Sequence, residues 1–404
     1  SHSNKNLYFD IDTGGTVFKL DHNSRISLSN NDSSGAVGTT LFGYRAGLSV
    51  PNGAIQNTFI GHDVAIATIT DAADYNTAVG AFSMSALTSG TQNTAHGMNS
   101  LLRVTSGNFN TAIGVASLED ITTTSNNTAV GRQSGFYSVG ADNTYIGYQS
   151  GLGSDGSGAD NYNTAVGSQS LKAITTGDNN TAIGYNSLDA GTDAHDNTAI
   201  GFASLGSAVS VGYAVAIGNE SMNNGNVTSS ADGAVGIGYK SLYDLTSGAE
   251  NTAIGYNSGL IISTGGENTL LGYSAGKGFD TNSGNTAMGA SAMSGAGDAS
   301  YCVAIGMQSL DASLTSGANG AVAIGTSSLG ALTSGASNTA VGYQSADNIT
   351  TGSRNTVLGY QSMYQAGGDA NKAPSADDNI AIGYRSMGGQ WNGGADAPDK
   401  NIAI

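Results

Sequence analysis

Residues 180–188 read Asn-Thr-Ala-Ile-Gly-Tyr-Asn-Ser-Leu, and residues 251–259 read Asn-Thr-Ala-Ile-Gly-Tyr-Asn-Ser-Gly. The glycine of this pattern, called the bend glycine below, recurs twenty times, mostly at intervals of 17 residues and otherwise at 16 to 24. A fixed period of this length is the signature of a repeat architecture. The bend glycines are Gly43, Gly61, Gly80, Gly97, Gly114, Gly131, Gly147, Gly167, Gly184, Gly201, Gly218, Gly238, Gly255, Gly272, Gly289, Gly306, Gly325, Gly342, Gly359 and Gly383.

The positions around the bend glycine are strongly typed. Asn stands four residues before it in 15 copies, Thr three before in 15, and Ala two before in 14. The residue directly before it is apolar in every copy except one, where it is His96. Ser stands three residues after it in 16 copies. In the two clearest copies the structural repeat residues are Asn180, Thr181, Ala182, Ile183, Gly184 and Ser187, and Asn251, Thr252, Ala253, Ile254, Gly255 and Ser258.

Thr-Ala-Ile favours a short strand, and the glycine lets the backbone turn at its end. A second apolar residue about seven positions later, followed by Thr-Ser-Gly or Thr-Thr-Gly, predicts a second strand and a second turn. Two strands and two turns describe one coil of a parallel β-solenoid, which becomes stable only when coils stack. We therefore predict an all-β fold, a parallel β-solenoid of about twenty 17-residue coils over residues 36–404.

Stacking places equivalent residues about 4.8 Å apart, so the Asn side chains should form an amide ladder. Where Asn is lost, Thr is usually lost with it, which indicates a paired role or a duplicated block. These pairs are Ala214-Val215, Ala234-Val235, Cys302-Val303 and Ala321-Val322.

Residues 1–35 lack the repeat and form a separate N-terminal region, a β hairpin with the role of a cap or junction. Residues 6–12 and 14–20 alternate apolar and polar side chains around a glycine, which predicts the hairpin. At the other end, Ile404 stands one residue before the next expected bend glycine. We therefore expect residues 36–404 to be a fragment of a longer repeat domain.

The composition excludes several classes of protein. The chain of 404 residues has 61 Gly but only 11% charged residues, which disfavours helices. Its net charge of −17 makes nucleic acid an improbable partner, because phosphate binding needs clustered Lys and Arg. No apolar stretch is long enough to insert into a membrane. The single cysteine, Cys302, excludes an internal disulfide and indicates a packing role.

No catalytic or cofactor-binding set emerges, so we predict that the protein is not an enzyme and has no cofactor. The five histidines are scattered, and His96 replaces an apolar residue of core type. Calcium takes oxygen ligands, and four acidic loop pairs are its candidate sites. These pairs are Asp71 with Asp74, Asp155 with Asp160, Asp193 with Asp196, and Asp377 with Asp378.

Successive side chains of a strand point to opposite faces, so only one of the Ile and Ala ranks can fill the coil interior. We expect the Ala rank to point outward, often beside Tyr, which follows the bend glycine in nine copies. A continuous apolar stripe of this length exceeds what a monomer exposes, which predicts contact with another chain.

Residues 180–188, 251–259 and 214–221 resemble the head repeats of YadA-type trimeric autotransporter adhesins and the shaft repeats of phage tail fibres. The resemblance covers roughly residues 36–404, although the 17-residue period is longer than that of the adhesin heads. It implies a left-handed β-roll, a homotrimer and an extracellular location, on a virion tail fibre or a cell-surface appendage.

The function expected from these features is a structural and adhesive fibre shaft that displays a receptor-binding tip for attachment to a host or other cell. A cell-surface glycan or protein would be the receptor. Two alternatives stay open: a monomeric ice-binding β-solenoid, because Thr and Ala ranks on a flat sheet suit ordered water, and a tail fibre that binds or degrades glycans.

Overall fold

The computed structural model describes residues 8–11, 15–19, 24–28, 38–155, 158–295, 297–364, 375–388 and 400–404. It confirms the parallel β-solenoid, with about 19 coils spaced by about 17 residues and almost no helix. The chain divides into two compact units, Ser1–Asp193 (unit 1) and Ala194–Ile404 (unit 2). Both units are built from the same coil.

Unit 1 opens with an antiparallel pair, β1 (Tyr8–Ile11) and β2 (Gly15–Lys19). Strand β3 (Ser24–Leu28) then pairs antiparallel with β4 (Thr40–Tyr44), the strand of the first coil. From β4 onward each strand pairs in parallel with the next, as when β8 pairs with β9 through Ala112 and Ala129. The later strands are β5 (Thr58–Ile60), β6 (Thr77–Val79), β7 (Thr94–His96), β8 (Thr111–Ile113), β9 (Thr128–Val130), β10 (Thr144–Ile146), β11 (Thr164–Val166) and β12 (Thr181–Ile183).

Unit 2 repeats the parallel pairing and adds two single turns of 3-10 helix, Ser229–Ala231 and Ser316–Ala318. Its strands are β13 (Thr198–Ile200), β14 (Val215–Ile217), β15 (Val235–Ile237), β16 (Thr252–Ile254), β17 (Thr269–Leu271), β18 (Thr286–Met288), β19 (Val303–Ile305), β20 (Val322–Ile324), β21 (Thr339–Val341), β22 (Thr356–Leu358), β23 (Ile380–Ile382) and β24 (Ile402–Ala403).

The bend glycine is required by both conformation and space. Gly255 has φ +139°, and a Cβ added to it would lie 2.3 Å from the carbonyl oxygen of Gly272 in the next coil. No other residue type fits this approach, because any Cβ would collide with backbone. The repeat of glycine in every coil therefore follows from stacking itself.

The prediction of two strands per coil is wrong, because each described coil has one. The second and fourth residues after the bend glycine have positive φ, for example 59° at Gln169 and 52° at Leu171 in one coil. Backbone bonds between coils persist there, as from the Gln133 N–H to the Val115 carbonyl at 2.9 Å. The segment therefore stacks without being a strand.

The expected orientation of the strand is also wrong. The Ala two residues before the bend glycine points inward and is fully buried, as are Ala182 and Ala253. The residue before the bend glycine points outward, and Ile183 is 39% exposed. The reason is space: Leu side chains such as Leu188, buried Ser and the Asn ladder already fill the coil interior, so only a methyl group fits opposite them.

The predicted Asn ladder is confirmed. Asn110 is fully buried, and its Nδ2 donates to Asn93 Oδ1 at 3.1 Å and to the Thr124 carbonyl at 3.0 Å. Its own Oδ1 accepts the N–H of Asn127 at 3.0 Å. Each Asn thus links its own coil to both neighbours and satisfies backbone groups that water cannot reach.

The ladder explains both 3-10 turns. Ala214 and Cys302 replace Asn, so the N–H of the equivalent residue in the next coil lacks a side-chain acceptor. In each case a 3-10 turn supplies a carbonyl instead: Ala234 N–H donates to Ala231, and Ala321 N–H to Ala318, both at 3.3 Å. The Thr side chain points outward and the Asn side chain inward, so the two do not contact each other. Their replacement in the same coils therefore does not reflect a contact between them.

Candidate functional site: the outward strand face

The outward strand face is formed by the residues three and one before each bend glycine. In unit 1 and in unit 2 the outer rank consists of Ile, Val, Leu, Met and Phe side chains, none of them buried, with His96 as the polar exception. The Thr rank beside it is half-buried or exposed, as at Thr181 and Thr269. Parallel strands in register repeat both ranks about every 4.8 Å.

Several members of the apolar rank are exposed by more than a third of their surface. They include Phe42, Ile113, Ile146 and Ile183 in unit 1, and Leu271, Met288, Ile305, Ile324 and Leu358 in unit 2. Monomeric proteins rarely expose contiguous apolar patches larger than a few hundred Å², so this rank is a candidate interaction surface.

Aromatic residues extend this face past the bend. Tyr239, Tyr256 and Tyr273, each one residue after a bend glycine, stack with ring centroids 4.9 and 5.4 Å apart. The rings of Tyr343, Tyr360 and Tyr384 stack similarly, at 5.2 and 5.5 Å. In unit 1, Tyr44 stacks on His62 at 4.9 Å. These rings hold one another in fixed orientations while their edges stay in solvent.

The sequence-predicted repeat residues divide between core and surface. Asn180, Ala182 and Ser187 are buried, as are Asn251, Ala253 and Ser258. Ser187 Oγ donates to the Gly184 carbonyl at 3.1 Å, and Ser258 Oγ to the Leu270 carbonyl at 3.2 Å. Thr181, Ile183, Thr252 and Ile254 lie on the outward strand face. These four side chains are the ones that the strand presents to solvent.

Asp160, predicted in an acidic loop pair, instead lies in a buried site that the sequence analysis did not predict. Tyr145 replaces the inward Ala of its coil and reaches across the interior, where its hydroxyl donates to Asp160 Oδ2 at 2.7 Å. Asp160 Oδ1 also accepts from Ser138 Oγ at 3.0 Å and from the Gly140 N–H at 3.1 Å. Burial raises the pKa of Asp160 to about 6, against these hydrogen bonds, which lower it. Burial also raises the pKa of Tyr145.

A signal for this site was present in the sequence. Leu or Met usually stands four residues after the bend glycine, but glycine stands there in the coil of Tyr145, at Gly151, and in the preceding coil, at Gly135. A Cβ on Gly151 would lie 2.4 Å from the Tyr145 ring, and one on Gly135 2.9 Å. Leu270 is matched in the same way by Gly259 and Gly276. A large inward residue therefore occurs where its partners across the core are glycine.

Most members of the acidic loop pairs predicted as calcium ligands accept hydrogen bonds within the protein. Asp71 and Asp74 accept the N–H groups of Gly53 and Ile55 at 3.1 and 2.7 Å. Asp377 accepts the Ser353 N–H at 2.7 Å, and Arg354 binds Asp378 through two hydrogen bonds. Within the described residues no group of three or more His, Cys, Asp or Glu side chains could hold a metal ion.

The structure also locates the single cysteine and the histidine of the outer rank. Cys302 is fully buried in the core, where burial raises its thiol pKa, in keeping with the packing role predicted for it. His96 is exposed on the outward strand face and not in the core, so the expectation of a core-type position is wrong. The reason is the strand orientation described above.

In the part of the chain that the structure describes, no helix has the length and apolar character to cross a bilayer. Comparison with known proteins adds no family: neither a protein-family model nor a curated protein matches the chain.

Proposed function

We propose that the protein is the shaft of a homotrimeric extracellular fibre, a phage-like tail fibre or a cell-surface appendage, which carries a receptor-binding tip to a host or other cell. The observation that supports this proposal is the outward strand face, where in each unit the single chain leaves a rank of apolar side chains in solvent, with His96 as the polar exception. Packing of this face against other copies of the chain would remove these side chains from water, since the filled coil interior has no room for them.

The chemistry of the face suits self-association. Burial of apolar surface contributes about 25 cal/mol per Å² to the free energy of association. Because nearly every coil presents one apolar side chain, this free energy grows with the number of coils in contact. The repeat also gives identical copies the same 4.8 Å ladder, so that each coil of one chain meets an equivalent coil of another. The hydroxyls of the Thr rank can form hydrogen bonds with neighbouring chains or with water.

Charge placed on the face tests the proposal. In the double variant Ile254→Asp and Ile305→Asp, two carboxylates would have to be buried between chains, so we expect dissociation to monomers with an intact coil. The matched control, Glu250→Asp and Asp298→Glu, alters side chains off the face and should leave the assembly intact. Sedimentation velocity measures the state of assembly, and circular dichroism measures whether the coil stays folded. A face variant that sediments as the unmodified protein would refute the proposal.

A second candidate function, ice binding by a monomer, is favoured by one observation. The Thr rank points outward and not into the coil, so Thr hydroxyls lie in regular rows on a sheet. Thermal hysteresis of the purified protein decides between the two. Hysteresis in a monomeric sample, lost when Thr252 and Thr269 become Asp, would favour ice binding, whereas its absence would exclude it.

A further inference from the structure

A groove lies in unit 2 between the segments that follow the bend glycines Gly238 and Gly255. Its cavity volume is about 350 Å³, near the lower end of the range of about 300 to 1,000 Å³ for small-molecule sites. Tyr239, Tyr243 and Tyr256 contribute its aromatic walls. These residues follow the bend, whereas the outward strand face precedes it.

The aromatic walls are held in place by one another and by a lysine. The rings of Tyr239 and Tyr256 stack at 4.9 Å with an angle of 17° between their planes. Lys240 Nζ lies 4.5 Å from the centre of the Tyr243 ring and 5.5 Å from that of Tyr239. Because the rings are fixed before any ligand arrives, little side-chain entropy is lost on binding.

The polar groups of the groove offer both donors and acceptors. Lys240 Nζ pairs with Glu220 Oε2 at 3.0 Å, and Asp244 Oδ1 accepts from Asn224 Nδ2 at 2.6 Å. The amide of Asn257 and the apolar side chain of Leu260 complete the lining. One ammonium and two carboxylates leave a net negative charge at the groove, which disfavours an anionic ligand.

We propose that this groove binds a sugar residue of a neutral glycan. A pyranose ring presents C–H groups on its faces and hydroxyls at its edge. A C–H face matches the Tyr243 ring, while Tyr256, stacked on both faces, borders the sugar with its edge. The hydroxyls, which both donate and accept, match Lys240, Asp244 and Asn257. In biological terms the inference rests on the proposed attachment function, because a glycan of the contacted cell would be the ligand. Binding itself requires only the groove.

Saturation-transfer difference NMR on the full chain tests the inference, with the methyl glycosides of glucose, galactose, mannose and N-acetylglucosamine as probes and N-acetylneuraminic acid as the anionic comparison. We expect saturation transfer to the ring protons of at least one neutral glycoside and weaker transfer to the acid. Tyr243→Ala should weaken binding about tenfold, whereas Tyr243→Phe, which keeps the ring, should retain it. Tyr301→Ala removes a tyrosine that is 68% exposed elsewhere in unit 2 and should bind as the unmodified protein does.

The inference is overturned if none of the four neutral glycosides receives saturation, or if Tyr243→Ala and Tyr301→Ala bind equally. Stronger binding of N-acetylneuraminic acid would overturn the assignment to a neutral sugar. The mass of the assembly, measured on the same samples, separates the two proposals. A monomer that binds sugar contradicts the trimer alone, and a trimer that binds none contradicts the groove alone.

Discussion

Replacing Asn268 by Ala removes one step of the amide ladder and should destabilise its coil strongly. Asn268 is fully buried, and its Nδ2 donates to Asn251 Oδ1 at 2.9 Å and to the Asn282 carbonyl at 2.8 Å. Its Oδ1 accepts the Asn285 N–H at 3.0 Å. The substitution leaves that N–H and the Asn282 carbonyl without these partners.

Each buried polar group left unpaired costs about 1 to 3 kcal/mol, so we expect a local loss of about 3 kcal/mol. After Ala214 and Cys302, a 3-10 turn supplies a substitute acceptor in the next coil, and the coil of Asn285 has no such turn. Because coils interact chiefly with their neighbours, the effect should stay local and not appear as one global transition.

Hydrogen–deuterium exchange with mass spectrometry measures the effect at the affected amide. A loss of about 3 kcal/mol should speed exchange of the Asn285 amide about 100-fold, since each 1.4 kcal/mol is a factor of ten. Thr269→Ala is the matched control, because it changes the adjacent, exposed side chain and should cost under about 0.5 kcal/mol. Equal exchange in the two variants would refute the ladder as a source of stability.

Two further predictions concern the core. Gly276→Leu should destabilise unit 2 by about 1 to 3 kcal/mol, because a Cβ there would lie 2.7 Å from Leu270 Cδ2, and Leu270→Ala alone should cost about 2 to 4 kcal/mol. The double variant recreates the usual Ala and Leu pair, so urea denaturation should show recovery of most of the loss, and additive losses would contradict the size matching. For Asp160, the folded pKa of about 6 lies above the ordinary aspartate pKa of 3.8, so its contribution to stability is fully present below about pH 4 and is lost as the pH rises through 6. The difference is on the order of 3 kcal/mol, and thermal melts from pH 4 to 7 should show it in the natural protein and not in Asp160→Asn.

The sequence predicts the repeat, the parallel stacking and the Asn ladder because each depends on residue types that recur at one spacing. It does not predict which strand face points inward, since Ala and Ile are both apolar. A strand of three residues is also too short to show an alternating pattern that would distinguish the two faces. The interior volume left by Leu188 and its equivalents makes that choice.

The segment after the bend shows a second limit of sequence reasoning. Its apolar residues have the spacing of a strand, but Leu118 and its equivalents have positive φ. The only trace in the sequence is glycine at the same position in five coils, at Gly47, Gly135, Gly151, Gly259 and Gly276. The aromatic groove of unit 2 leaves no trace in the repeat, because Tyr243 and Asp244 occupy positions whose residue type varies from coil to coil.

The burial of the outward strand face between copies is tested most directly by the native mass of the purified chain in mild buffer. One chain has a mass of 40.2 kDa, so a homotrimer should appear at about 121 kDa. We predict the trimer mass as the main species. A single species at 40.2 kDa would contradict the proposed assembly and leave the apolar rank exposed to solvent.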